Sequence, residues 1–441
     1  LRGREGDPAR GDSRKERKTN GASGNKKDVP PETGVTKRKG VIRFPHGFEA
    51  LVQSALIHLF WETRRRKMKR IALAVALTAA VMVLVTGSPV IAGEKVKWRM
   101  GSCWTEAINL YHGDKAMIQY VKDMTNGDFD IQWFPSGSLM KAFEYFDACS
   151  KGVVQAVGDW PSYWVSKDPA FDFLGSMPYG FTNMDYMVWY YQYGGRELYN
   201  EAFGKFDMMY FNLGATPMES GFRTTEKAGP IKTIDDYKGL KVRTPARSTI
   251  SILQKLGGAP IKMPGGEIYL AVERGTLDGA EFSAPGIDWG MGFAEITKYW
   301  SVPCWFQPAT QSGTMVNKAA FEKLPDQYKK IFKTACMAAA MESMTFYEAD
   351  SARAIPKFKE KGIEIVELDD ASLKKLDDLS GEYIIESAKE RKGLFAKILR
   401  SQLEYLRDYK DWRDMTGKFG YGFHPSYVDD ALAALDEMGV K

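Results

Sequence analysis

Between residues 95 and 102 the chain alternates: Val96, Trp98 and Met100 are apolar, with Lys or Arg between them. A period of two predicts a strand. From Ala107 to Met124 the apolar spacing becomes helical and stops at Asn126-Gly127, a normal helix ending. FDIQWF, residues 129–134, returns to a strand pattern. Strand, helix, strand in that order predicts a parallel sheet with the helix as crossover. A PSGSL turn then leads into a helix over 141–151, and VVQAVGD over 153–159 reads as the next strand.

Further on, Thr233 to Asp236 forms a T-x-x-D capping box that opens a helical turn before Gly239. Leu240–Val242 is a short strand-like run, and Arg243 ends it two residues before Pro245. Residues 255–286 read as strand, glycine-rich turn, helix, turn and strand. Their Gly pairs at 257–258 and 265–266 lack the G-x-G-x-x-G spacing of a phosphate loop, so they read as turns. From Pro325 to about Lys361 helical spacing is nearly unbroken. At 1.5 Å per residue that predicts a helix of roughly 50 Å, long enough to brace two domains. Residues 372–414 read as charged amphipathic helix with Leu, Ile and Tyr on one face, which is either a packed surface or a subunit contact. No internal repeat is found.

Composition matters once the chain is divided. Residues 68–92 carry Lys69 and Arg70, an apolar run from Ile71 to Val85, and the small-residue pattern Val90-Ile91-Ala92. That is a bacterial secretory signal, with cleavage expected after Ala92. The alternative is a membrane anchor, since Ile71–Ala92 is just long enough to span a bilayer. Residues 1–67 are Lys/Arg/Gly-rich and aperiodic until Phe48. They are expected to be a disordered upstream extension outside the fold, with a basic nucleic-acid-binding arm as the alternative.

The whole chain has a formal net charge of +5, but residues 1–92 hold 19 basic against 8 acidic residues, leaving 42 against 48 and a net of −6. A mildly acidic exported body gives no reason to expect nucleic acid or a membrane surface as partner. With 44% hydrophobic and 27% charged residues the chain is globular and long enough for two domains. Cys103, Cys149, Cys304 and Cys336 all lie beyond the signal. Four cysteines in an oxidising compartment allow three pairings. Only His112 and His424 remain there, and no Cys/His cluster suggests zinc.

In this order these landmarks resemble the DctP-type substrate-binding proteins of TRAP transporters. DDYKGLKVRTPA, residues 235–246, looks like that family's signature around its ligand arginine. LGGAPIKMPGGEIYLAVERGTLDGAE, 256–281, resembles the subgroup that binds 2-oxo acids and related hydroxy or aromatic carboxylates, including the mannitol/chloroaromatic binders. FEYFDACSKGVVQAVGDWPSYW, 143–164, and KLPDQYKKIF, 323–332, also match, so the resemblance covers about 95–375. It implies an α/β, two-domain periplasmic-binding-protein fold with hinge strands, an interlobe cleft and a long helix spanning both domains. One lobe would hold 93–218 and about 308–348, the other 219–307 and about 349–375, with 376–441 as a C-terminal helical extension. The crossings would fall near Gly214–Glu219, near Gln307–Gln311 and within the long helix.

The resemblance also implies a site. Arg243 aligns with the family's carboxylate-binding arginine; a guanidinium stays charged and its planar fork matches a carboxylate. The alternative for Arg243 is pairing with an internal acid. Glu281 and the backbone carbonyl of Phe282 fall where the subgroup offers oxygens to a cation, and Glu219 falls where relatives have Gln. A bridging Ca²⁺ or Na⁺ would let these acids face an acidic ligand. A Glu of the subgroup becomes Gly313 here, a loss that Glu219 would offset. Trp104 and Tyr163 are the expected aromatic walls, with Trp160 and Trp305 as candidates, and Gln307 or Gln311 as hydrogen-bond donors to the ligand.

The expected function is capture of a small organic carboxylate in the periplasm and its delivery to the membrane subunits of a TRAP transporter, without chemistry. A homodimer through the C-terminal helices is a possible further partner. Two rivals differ in class: an exported metal-dependent enzyme acting on carboxylic acids, and a membrane-tethered sensor domain. Against the enzyme stand the absence of G-x-S-x-G and H-E-x-x-H motifs and the few histidines.

Overall fold

A computed structural model describes residues 48–86 and 95–417. Phe48–Thr86 is a single 39-residue helix that forms a unit of its own. Residues 48–67, expected to lie outside the fold, are therefore helical and continuous with the start of the signal stretch. The cleavage motif at 90–92 and residues 1–47 lie outside the described residues. No helix among the described residues is long and apolar enough to cross a membrane.

Among the described residues the second unit carries ten strands in two five-stranded sheets. They are β1 (Val96–Ser102), β2 (Phe129–Phe134), β3 (Ala156–Asp159), β4 (Met208–Thr216), β5 (Arg223–Thr224), β6 (Val242–Arg243), β7 (Gly279–Ala280), β8 (Tyr299–Val302), β9 (Thr310–Asn317) and β10 (Glu364–Glu367). The first sheet runs β2-β1-β3-β9-β4 and heads lobe I; the second runs β10-β8-β5-β7-β6 and heads lobe II. The strand–helix–strand pattern at 95–134 gives a parallel β1/β2 pair joined by the helix His112–Met124. β9 inserts antiparallel between β3 and β4.

Both strands next to the crossing points belong to lobe I. The chain leaves β4 for lobe II after Thr216 and returns from β8 to β9 across residues 303–309. β4 carries a bulge between Asn212 and Gly214, where Gly214 has φ of 120°. A Cβ there would sit 2.5 Å from Ser343 Oγ, so only glycine lets the strand approach the long helix. That helix, Asp326–Glu360, is 35 residues long. Phe332 packs on Trp98 and Phe129 under the first sheet, and Phe358 packs on Trp289 and Trp300 of lobe II. It is thus buried at both ends by different lobes.

Three expected elements change. The strand expected at the start of 255–286 is reduced to a single parallel bridge, Arg243 to Ile261, and Leu240–Val242 shifts so that Arg243 lies within β6 rather than after it. The single helix expected over 372–414 is three: Asp370–Glu390, Leu394–Asp408 and Lys410–Thr416. The first break falls at Gly393, with φ of 69°. Their apolar face is spent on the same chain. Leu376 and Leu379 join the lobe II core with Tyr237 and Ile252, while Phe395 and Leu399 pack with Phe173 and Met177. Tyr383 and Arg391 hold Asp172, and Tyr405 and Arg413 hold Asp185. Much of the face expected to serve a second copy is therefore covered by the chain itself, while Ile385, Leu403 and Trp412 stay exposed.

Candidate binding site

Strand pairing sets the site. β6 and β7 run parallel with Arg243 opposite Ala280, so Glu281 and Phe282 emerge beside the Arg243 side chain. Arg243 is fully buried. Its Nε donates to Met263 O at 3.1 Å and its Nη1 to Glu281 O at 2.9 Å. Nη1 also reaches Glu281 Oε1 at 3.3 Å. The Phe282 ring centroid lies 5.2 Å from Cζ, near enough for a cation–π contact. Nη2 has no partner in the protein. The internal-acid alternative for Arg243 is thus half met: Glu281 pairs with it, yet one face of the fork stays open.

Glu219 arrives from the opposite side, on the segment that follows β4. Its Oε1 accepts from Thr310 Oγ1 at 2.5 Å and from Gln307 Nε2 at 3.2 Å. Oε2 of Glu219, Oε2 of Glu281 and Oε1 of Gln307 are buried acceptors with no donor. Burial pushes the Glu219 carboxyl well above the usual range, and neighbouring Glu281 pushes it further. Burial also raises Glu281, against the pull of Arg243. Two neighbouring buried acids, each with one oxygen that lacks a donor, need a proton or a cation between them.

These groups enclose a space of ≈ 10 Å³ between the lobes, lined by Arg243, Glu219, Phe282, Gln307 and Thr310 on one side and Trp160, Tyr163 and Leu110 on the other. That is about what one water needs, so the lobes are shut. One buried apolar cluster runs from Trp160 and Tyr163 through to Phe282 and Ile287. Burial raises the Tyr163 hydroxyl to about 12, with Arg243 pulling the other way.

The site residues read from the sequence divide clearly. Arg243, Glu219, Phe282, Tyr163 and Gln307 line the space, and Glu281 pairs with Arg243 behind it. Trp104 does not line it; it is buried beside Tyr163, and Trp160 takes the wall instead because the Pro161–Trp164 turn carries Trp160 and Tyr163 to the cleft. Trp305 belongs to the lobe II core, where it donates to Tyr237. Gln311 spends its amide on Asn212 and on the Gly214 and Ser312 carbonyls. Gly313 pairs with Asp159 and Asn212 inside the first sheet. A Cβ there would lie 2.4 Å from Tyr210 Oη, so close packing accounts for it without any lost ligand. Thr310 was missed, although its place at the second crossing marks it. Leu110 carries no signal beyond being apolar. All four cysteines are free and buried.

Among the described residues no three His, Cys, Asp or Glu side chains converge on a metal position. The donor set offered here is two carboxylates with amide and carbonyl oxygens, which suits a hard cation.

Residues 100–390 match the family described as bacterial extracellular solute-binding protein, family 7, or DctP. The chain is 31% identical over 329 residues to a monocarboxylate 2-oxoacid-binding periplasmic protein of Nostoc sp., covering 74% of this chain and 89% of that one. It is also similar to a TRAP periplasmic solute-binding protein from Pseudoalteromonas atlantica T6c with bound sodium and pyruvate. There the TM-score is 0.70 at 28% identity, covering 75% of this chain and all of the other (100%). A TRAP solute-binding protein from Bordetella bronchiseptica RB50, with copurified calcium and picolinate, gives a TM-score of 0.69 at 25% identity, over 78% and 98% of the two chains.

Proposed function

This chain belongs to bacterial extracellular solute-binding protein family 7, and we propose that it captures a small 2-oxo monocarboxylate with a cation and passes it to TRAP membrane subunits. Solute capture is the family role; the carboxylate, and the 2-oxo acid in particular, are suggested by relatives described as binding 2-oxoacids or pyruvate. One observation carries the reading: a fully buried Arg243 with an open Nη2 shares the lining of an enclosed interlobe space with Glu219, and Glu281 beside it adds a second carboxylate with a donorless oxygen. The open guanidinium face takes the ligand carboxylate. Glu219, Glu281 and the Phe282 carbonyl hold the cation, with Ca²⁺ favoured over Na⁺ by the two carboxylates. The cation supplies positive charge that lets three carboxylates share one dry site.

Lobe closure around the ligand is the working step, because the space is too tight to enter unless the lobes part. In this reading the chain binds rather than catalyses. It is exported with a leader cleaved near Ala92, and residues 93–218 with about 308–348 move against 219–307 with about 349–375. Titration calorimetry with pyruvate tests it. After chelator treatment no binding heat is expected, and Ca²⁺ restores it. Equal affinity with and without chelator removes the cation; no heat in either condition removes the 2-oxo acid.

A further inference from the structure

Residues 259–263 run beside β6 as a partial strand. Ala259 and Ile261 donate to Leu240 O and Val242 O at 2.9 Å each, and Thr244 donates to Ile261 O at 3.1 Å. Met263 O accepts a hydrogen bond from Arg243 Nε. Lys262 lies between these anchors, and its side chain leaves lobe II altogether. Its Nζ donates to Tyr163 O at 3.3 Å in a part-buried bond and stands 5.8 Å from the Phe143 ring centroid. Both partners belong to lobe I. The next loop makes the same crossing: a Cβ on Gly266 would meet Thr105 Cγ2 at 2.9 Å.

The ammonium has been partly stripped of water without an acid to receive it. Burial and then Arg243 lower its pKa, and only Asp172 acts the other way. Asp172 is already held by Arg391 and Tyr383. A surface lysine would gain nothing from such a position. A lysine that meets its partners on closing gains a charge-assisted hydrogen bond and a ring face at that moment.

We propose that Lys262 is the latch of the closed cleft, a lobe II cation that grips the Tyr163 carbonyl and the Phe143 face when the lobes shut and so slows ligand escape. The Tyr163 ring lines the binding space, so gripping its carbonyl also fixes that wall. The ligand arm of the proposal rests on the solute-binding reading above.

Two measurements test it. In stopped-flow fluorescence with pyruvate and Ca²⁺, Lys262→Met keeps the apolar stem, removes the charge and raises koff about tenfold with kon little changed. Lys262→Arg keeps koff near wild type. In the ligand-free chain, spin labels at Lys122→Cys and Glu273→Cys, one on each lobe, report lobe separation, and adding Lys262→Met shifts the distances toward the open form. If the wild type binds pyruvate and Lys262→Met leaves koff unchanged, the latch is wrong and the solute reading stands. If the wild type does not bind pyruvate, that reading falls, and the ligand-free distances decide the latch alone; an unshifted distribution overturns it.

Discussion

The second sheet buries two arginines at the same level, on either side of one residue. Arg223 on β5 and Arg243 on β6 both pair in register with Ala280 of β7, and both are fully buried. Their surroundings differ. Arg223 donates to Asp288 at 3.0 Å and to Ser220 Oγ at 3.0 Å. Its Cζ lies 4.0 Å from the centroids of both Trp300 and Phe358. Asp288 in turn accepts from the Ser283 amide. Arg223 Nη1 has no hydrogen-bond partner either, so what sets Arg223 apart is a shorter acid contact and two close rings. Arg243 has a longer contact to its acid, a more distant ring and one nitrogen left open at a cavity edge. Neither burial nor an open nitrogen alone therefore marks a binding arginine; an open nitrogen on the lining of the interlobe space does.

Removing each arginine in turn breaks the comparison at its strongest point. Arg243→Ala is expected to weaken carboxylate binding roughly a thousandfold, because the open nitrogen and its paired fork are lost together. Its stability should fall less than that of the other variant, since Glu281, already raised by burial, takes up a proton when its partner goes. Calorimetry and thermal unfolding measure the two effects. Unchanged affinity would show that Arg243 is as structural as Arg223.

Arg223→Ala should do the reverse. It leaves Asp288 buried and unpaired, and breaking such a pair costs about 3 kcal/mol or more. Denaturant unfolding should show that loss, while the protein that remains folded binds ligand within a few-fold of wild type. A thousandfold loss of affinity without loss of stability would place Arg223 in the site.

The same contrast explains what the sequence disclosed. Arg243 was legible because a fixed charge at a strand end before Pro245 sits inside a distinctive block, 235–246. Arg223, in GFRTTE, has no such frame, and only the fold brings Asp288 to it across 65 residues. The long helix and the first parallel unit follow from periodicity, which is local. The choice of Trp160 over Trp104 is not local: it depends on a turn after β3 that aims one indole at the cleft and leaves the other in the core. Gln311 likewise looks like a ligand donor until the bulge in β4 brings Asn212 and the Gly214 carbonyl to its amide. The break at Gly393 was readable, since ERKG ends a helix with basic residues followed by glycine, but continuous amphipathic spacing on both sides hid it.

Lobe I sharpens the comparison by burying an acid with no arginine at all. Asp114, in the first turn of the helix after β1, is 1% exposed and accepts from Trp133 Nε1 at 3.2 Å. A Cβ on Gly158 would lie 2.1 Å from its Oδ2, so the carboxyl packs directly against the β3 backbone. Burial pushes it up to about 8, eased by Trp133, Ser102 and Lys115. The sign follows from proton counts. Above about pH 4 the unfolded chain releases this proton and the folded chain keeps it. The stability Asp114 contributes is full below that pH and is lost as pH rises toward 8. Between pH 6.5 and 7.5 it accounts for about 1 kcal/mol of lost stability. Asp114→Asn keeps an acceptor for Trp133 and should remove that part of the slope, read as the difference between the two unfolding curves. Identical slopes would mean that Asp114 is ionised in the folded protein and held, like Asp288, by a charge that balances it.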